Sequence, residues 1–207
     1  MCGFNLEKLN AMHIDVLKEI GNIGSGNAAT ALSCLLSDTV DMSVPDVKVV
    51  DINQALTLLG GPENLVYGVM GRITGDIHAY MMFLIQQEFA AVILQEMLEK
   101  KITSFQELTE LDLSAIAEIG NILISSYVNS ITTLSQLDMK LSVPALCVDM
   151  VGAMLSVPAI EMGAVSDQLI FIKNDFLSEV HTITANMLLV PDMDSLKKIM
   201  QRLGIEL

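Results

Sequence analysis

This chain contains one of its own segments twice, and that fact limits its folding choices more than any other. Glu19-Ile20-Gly21-Asn22-Ile23 returns unchanged as Glu118-Ile119-Gly120-Asn121-Ile122, at an offset of 99 residues. Ser43-Val44-Pro45 returns at the same offset as Ser142-Val143-Pro144. Two identical matches at one offset, with no gap between them, mark a duplication. A unit of 99 residues is too long for a solenoid repeat and suits half a domain. The full 207 residues suffice for one sizeable domain but not comfortably for two. Between the halves, Glu99 to Glu110 is polar but short, and it lacks the Pro and Gly of a linker. One domain over 1–207 is therefore expected, with half-repeats about 1–103 and 104–207 and pseudo-twofold symmetry.

Local patterns fill in each half. From Leu6 to Leu36 apolar residues recur at helical intervals, among them Leu9, Ile14, Leu17, Ile20 and Ile23. Val40 to Val50 alternates and is broken by Pro45, as in extended chain or an edge strand. Leu65–Ile73 and Asp76–Ile85 read as strands joined at Thr74-Gly75. Glu88 to Lys101 reads as an amphipathic helix with two lysines at its C-terminal end. The second half follows suit. A long helix covers Leu108 to Leu134, extended chain runs from Met139 to Met150, and strands lie near Leu169–Lys173 and His181–Val190. A last helix spans Ser195 to Leu203, and Val151–Gly163, rich in Met and Ala, adds a short extra helix. Helices followed by hairpins, twice over, predict an α/β (α+β) fold, with a mixed or antiparallel sheet flanked by two long helices.

Composition narrows the function. With 52% apolar residues the chain can fill a large core, and with 14 Met and no Trp that core is adaptable. No run of about 18 uncharged apolar residues is present, and Met1–Glu7 has no basic start followed by an apolar stretch. A cytoplasmic protein without membrane insertion is expected. The formal net charge of −14 argues against nucleic acid and anionic membrane surfaces as partners. Cys2, Cys34 and Cys147 are odd in number and widely spaced, no Cys pair has metal-ligand spacing, and the latter two read as small core residues. His13, His78 and His181 are scattered and suggest no catalyst.

The repeated segment carries the chemistry. On a helix, positions four and seven apart return to nearly one face. Asp15, Glu19 and Asn22 have that spacing, and so do Ser114, Glu118 and Asn121. Asn is a poor interior helix residue because its side chain competes for backbone hydrogen bonds, so its retention in both halves needs a reason. Spacing alone leaves two reasons open: shared packing on a wet helix face, or a site. Glu and Asn are weak nucleophiles, but an amide can orient a water by donating and accepting hydrogen bonds. Positioning a water in line is a large part of phosphoryl-transfer catalysis. A nucleotide site at Gly21-x-x-Gly24-x-Gly26 is the weaker alternative, since this spacing is not the dinucleotide fingerprint and the second half has Leu123 and Ser125 at the later positions.

Asp15-x3-Glu19-x2-Asn22 followed after 22 residues by Pro45, and Ser114-x3-Glu118-x2-Asn121 followed after 22 residues by Pro144, resemble the doubled motif of the CheC/CheX/FliY phosphatases. Two motifs in about 200 residues are similar to the CheC branch. The resemblance implies hydrolysis of the phosphoaspartate of a CheY-like response regulator in chemotaxis. It assigns Glu19 and Glu118 to the regulator's active-site lysine, and Asn22 and Asn121 to the hydrolytic water. Asp15, Ser114, Pro45 and Pro144 become supporting residues. Mg²⁺ would belong to the regulator, leaving this chain with no cofactor of its own. A monomer that also binds the receptor deamidase CheD is implied, with Asp149 and the segment after it as a candidate docking surface. A non-catalytic, FliM-like module that captures phosphorylated regulator is the alternative.

Overall fold

The computed structural model describes residues 11–36, 39–162, 168–177 and 182–204. Cys2, His181, Gly163 and the first turn expected for the long helix, from Leu6, lie outside them. Two 26-residue helices, α1 (Ala11–Leu36) and α4 (Glu110–Ser135), carry the repeated motifs. They lie against an antiparallel sheet made of β1 (Asp41–Met42), β2 (Asp46–Asp51), β3 (Leu65–Gly75), β4 (Ala79–Ile85), β5 (Met139–Leu141), β6 (Ala145–Met150), β7 (Gln168–Leu177) and β8 (Thr182–Pro191). Four further helices complete the fold: α2 (Ile52–Leu58), α3 (Gln87–Leu98), α5 (Val151–Met162) and α6 (Met193–Arg202).

The sheet explains why a duplicated chain forms one domain. Both short strands of the first half, β1 and β2, pair with β7 of the second half. Both short strands of the second half, β5 and β6, pair with β3 of the first. The hairpins β3–β4 and β7–β8 meet at the centre, where β4 pairs with β8. Each half thus closes the sheet of the other, and neither has a complete sheet of its own.

Alternation along the central strands makes two cores. Met81, Phe83 and Ile85 of β4, with Met187 and Leu189 of β8, join Ile20, Ile116, Ile119 and Leu123 beneath α1 and α4. On the opposite face Tyr80, Met82, Leu84 and Leu188 pack with Ala55, Val151, Met154 and Leu155 of α2 and α5. Burial on both faces accounts for the unbroken apolar run Ala79–Ile85, every residue of which is buried. Among the described residues one helix, α4, has the length and hydropathy of a membrane span. Its apolar side is taken up by the first core, through Ile116, Ile119, Leu123, Ile124 and Ile131.

Three sequence expectations need correction. Cys34 and Cys147 are exposed rather than core residues. Cys34 falls on the outer side of α1 and Cys147 on a strand at the sheet margin, distinctions that an apolar neighbourhood in sequence does not encode. The helix predicted to reach Lys101 stops at Leu98, because Glu99 takes the left-handed conformation (φ 53°) and sends its N–H to the Leu94 carbonyl. Lys100, released from the helix, pairs instead with Asp112 of α4. Finally, α2 was missed, although Asp51 and Gln54 form a reciprocal capping box at its start.

Candidate functional site

The Glu-Ile-Gly-Asn-Ile repeat reads differently on its two sides. Ile20 and Ile119 point into the first core, while Glu19, Asn22 and Glu118 are exposed and Asn121 is half-buried. Between them the glycine lets each helix settle on what lies below. A Cβ at Gly21 would stand 3.0 Å from Pro45 Cγ and 3.1 Å from Val47 Cγ2. A Cβ at Gly120 would stand 2.3 Å from Cγ2 of Val69 in β3, closer than atoms can approach. Glycine is thus required for the seat of α4 and brings α1 closer to its own, and the seat fixes which face turns outward.

Both polar lines therefore project from the side of their helix that faces away from the sheet. In α1 the line is Asp15, Glu19 and Asn22, with Lys18 Nζ 3.6 Å from Asp15. In α4 it is Ser114, Glu118 and Asn121; Ser114 Oγ donates to the Glu110 carbonyl at 2.9 Å. Ser125 Oγ sits one turn on, 3.4 Å from Asn121 Oδ1, whereas Asn22 has Gly26 at the matching place. The prolines differ as well. Pro45 is buried against Gly21 of α1, but Pro144 is half-buried and lies nearer to β3, with its Cγ 3.8 Å from a Cβ at Gly71.

A buried polar network locks α1 to α4, and the sequence does not show it as a group. Ser25 Oγ, Tyr127 OH and Asn174 Oδ1 meet one another inside the core, linking α1, α4 and β7. Ser25 Oγ also lies 2.6 Å from the Gly21 carbonyl, one residue from Asn22. Burial pushes the Tyr127 phenol up to about 12, so it stays a neutral donor. Gly24 admits the Tyr127 ring, since a Cβ there would stand 2.7 Å from its Cδ1. The only sequence signal was a mid-helix serine next to glycines. In the second half Ile124 occupies the place of Ser25, so that position cannot repeat the serine's hydrogen bonds.

The start of α4 is held in another way. Thr109 and Asp112 cap it reciprocally, and Asp112, almost fully buried, also accepts from Lys100. Desolvation raises the Asp112 carboxyl, but the bonds from Lys100 and Thr109 outweigh it and hold the group below the usual carboxylate range.

The profile of the CheC-like family matches residues 12–49 and 111–148, which are the two motif helices and the strands after them. The CheY-P phosphatase CheC of Bacillus subtilis is 31% identical over 198 residues, covering 94% of this chain and 95% of that protein. This chain belongs to the CheC-like family. The flagellar motor switch phosphatase FliY of Bacillus subtilis is 30% identical over 140 residues, 67% of this chain and 36% of that longer protein. Among solved structures, Thermotoga maritima FliY superposes with a TM-score of 0.74 at 21% identity, covering 95% of this chain and 98% of that one. The FliM middle domain of Helicobacter pylori superposes with a TM-score of 0.68 at 11% identity, covering 94% and 99%. These two likenesses establish the CheC/FliY-like fold.

Asp149 lies on β6, whose residues Cys147 to Met150 are all exposed. It borders a cavity of about 210 Å³ lined by Gly68, Met70, Met82, Cys147 and Met154. Burial, then the Asp149 carboxylate, pushes the Cys147 thiol up. Among the described residues no three His, Cys, Asp or Glu side chains converge as a metal site would require.

Proposed function

We propose that this chain hydrolyses the phosphoaspartate of a CheY-like response regulator in chemotaxis signalling. The supporting observation is the pair of outward-facing Glu–Asn lines, each carried on a helix seated through glycine, in a chain similar over 94% of its length to a CheY-P phosphatase. Each asparagine amide has the donor and acceptor needed to orient a water toward phosphorus. As the water oxygen bonds to phosphorus, the bond to the regulator's aspartyl oxygen breaks, leaving a free carboxylate and inorganic phosphate. Mg²⁺ held by the regulator would neutralise the negative charge of the phosphoryl group. Glu19 and Glu118 pair with a lysine of the partner and hold it in register. Asp15 and Ser114 support the docked face.

The chain acts as a cytoplasmic monomer in this reading. The exposed strand β6, with Asp149, is the surface offered to CheD. The test is the decay of the phosphorylated regulator from the same organism with and without the protein. Accelerated release of inorganic phosphate supports the proposal. Unchanged decay despite binding favours a capture module instead, the reading to which the FliM likeness in fold lends weight.

A further inference from the structure

Val143 (93% exposed), Ile160 (77%) and Val44 (76%) are the most exposed large apolar side chains among the described residues. Two of the three are equivalent members of the repeated Ser-Val-Pro. A lone exposed valine is ordinary. The same valine kept at the same place in both halves, and exposed in both, calls for a cause.

Its neighbours already shape the loop. The Ser43 N–H donates to the Asp175 carbonyl at 3.0 Å, and the Ser142 N–H donates to the Arg72 carbonyl at 2.8 Å. Ser142 Oγ also accepts from the Arg72 N–H at 3.0 Å. On the other side Pro45 packs against Gly21, next to Asn22, and Pro144 lies beside β3 one alternate residue from the Val69 seat of Gly120. Serine is thus tied to the facing strand and proline to Gly21 or to β3, and the valine between them is exposed in both halves.

We propose that Val44 and Val143 are apolar docking contacts for the receiver domain of the phosphorylated regulator, one beside each Glu–Asn line. The inference rests on the phosphatase reading, which it deepens by adding a partner-binding residue to each site. Charge supports an apolar contact. At −14 this chain offers no long-range attraction to another acidic protein, so docking rests on local contacts, and an apolar side chain beside the Glu–Asn line adds short-range burial to the Glu–Lys pair.

One competing cause is backbone preference, because a β-branched residue before proline favours extended chain. Threonine keeps that preference and the shape while removing the apolar tip. The double variants Val44→Thr/Val143→Thr and Val44→Asp/Val143→Asp are therefore compared with wild type, using a CheY-like receiver activated with beryllofluoride for binding and the phosphorylated receiver for turnover. We expect about a tenfold weaker Kd and higher KM for the Thr pair, a larger loss for the Asp pair, and unchanged kcat and thermal midpoint. Unchanged Kd and KM in both pairs would overturn the docking role while leaving the phosphatase reading intact. Loss in the Asp pair alone, which the added negative charge also produces, would show that the apolar tip is not needed and would overturn it too. A wild type that binds the activated receiver without hydrolysing phosphate defeats the phosphatase reading only, and the binding comparison then still decides the valines. A wild type that does not bind the receiver defeats both.

Discussion

The two motif helices share five consecutive residues, yet they are held in place by different means. Helix α1 is positioned from within: Ser25 ties its Gly21 carbonyl to Tyr127 and Asn174, and Pro45 braces it from below. Helix α4 is positioned at its start and by its seat: Thr109, Asp112 and Lys100 fix the first turn, and Gly120 sits tightly on Val69. Duplication preserved the Glu–Asn pair together with the Ile–Gly seat beneath it, and let the fastenings around them diverge. Core contacts need only fill space and satisfy polar groups, so many solutions serve. A surface that meets a fixed partner has fewer.

This contrast predicts unequal responses to matched substitutions. The largest difference should come from the shared glycine. Gly120→Ala puts a methyl group into Val69, a stiff β-branched residue buried in the sheet, and should destabilise by about 1–3 kcal/mol despite the better helix propensity of alanine. Gly21→Ala meets Pro45 and Val47 at 3.0 and 3.1 Å, and the gain in propensity of about 1 kcal/mol should nearly offset that crowding. Urea midpoints measure both. Equal losses would mean that the two seats are alike.

Next comes the buried network. Tyr127→Phe keeps the ring against Gly24 but strips two bonds from the cluster, at a cost of about 1–2 kcal/mol. Phosphatase rates measured with only the Asn22 site intact should fall more than those measured with only the Asn121 site intact. Equal decreases would dissociate the network from the first site.

The smallest effect is pH-dependent. Asp112 is held below its ordinary pKa, so its contribution to stability is fully present above the usual carboxylate value of about 3.9 and disappears as pH falls through the lower folded value. Lys100→Met should cost about 1 kcal/mol at pH 7, because a partly exposed lysine is screened. That difference from wild type should shrink below pH 4. A gap that persists in acid would show that Lys100 acts through packing instead.

Much of this was legible in the sequence, and the limits have physical reasons. The offset of 99 exposed the duplication, and helical periodicity located both long helices. The exchange of strands between halves was hidden, because the pattern of a strand reveals its faces but not its partner. No regularity in Asp46–Asp51 announces that it will pair with Gln168–Leu177, more than 100 residues away. The Glu–Asn lines were visible as a repeat, and their exposure follows from the periodicity. Ser25, Tyr127 and Asn174 were invisible as a group, since their meeting depends on three elements packing together. Val44 and Val143 stood in a repeat already noticed, but their significance needed an exposure that only the fold provides.

The proposed hydrolysis turns on one asparagine present twice. Phosphate release from a phosphorylated CheY-like regulator should be followed with wild type, Asn22→Ala, Asn121→Ala and the double variant. We predict that each single variant keeps part of the acceleration and that the double variant, folded and still able to bind, lets the regulator decay at its unaided rate. A double variant that retains the wild-type rate would contradict the account and place the chemistry elsewhere on the molecule.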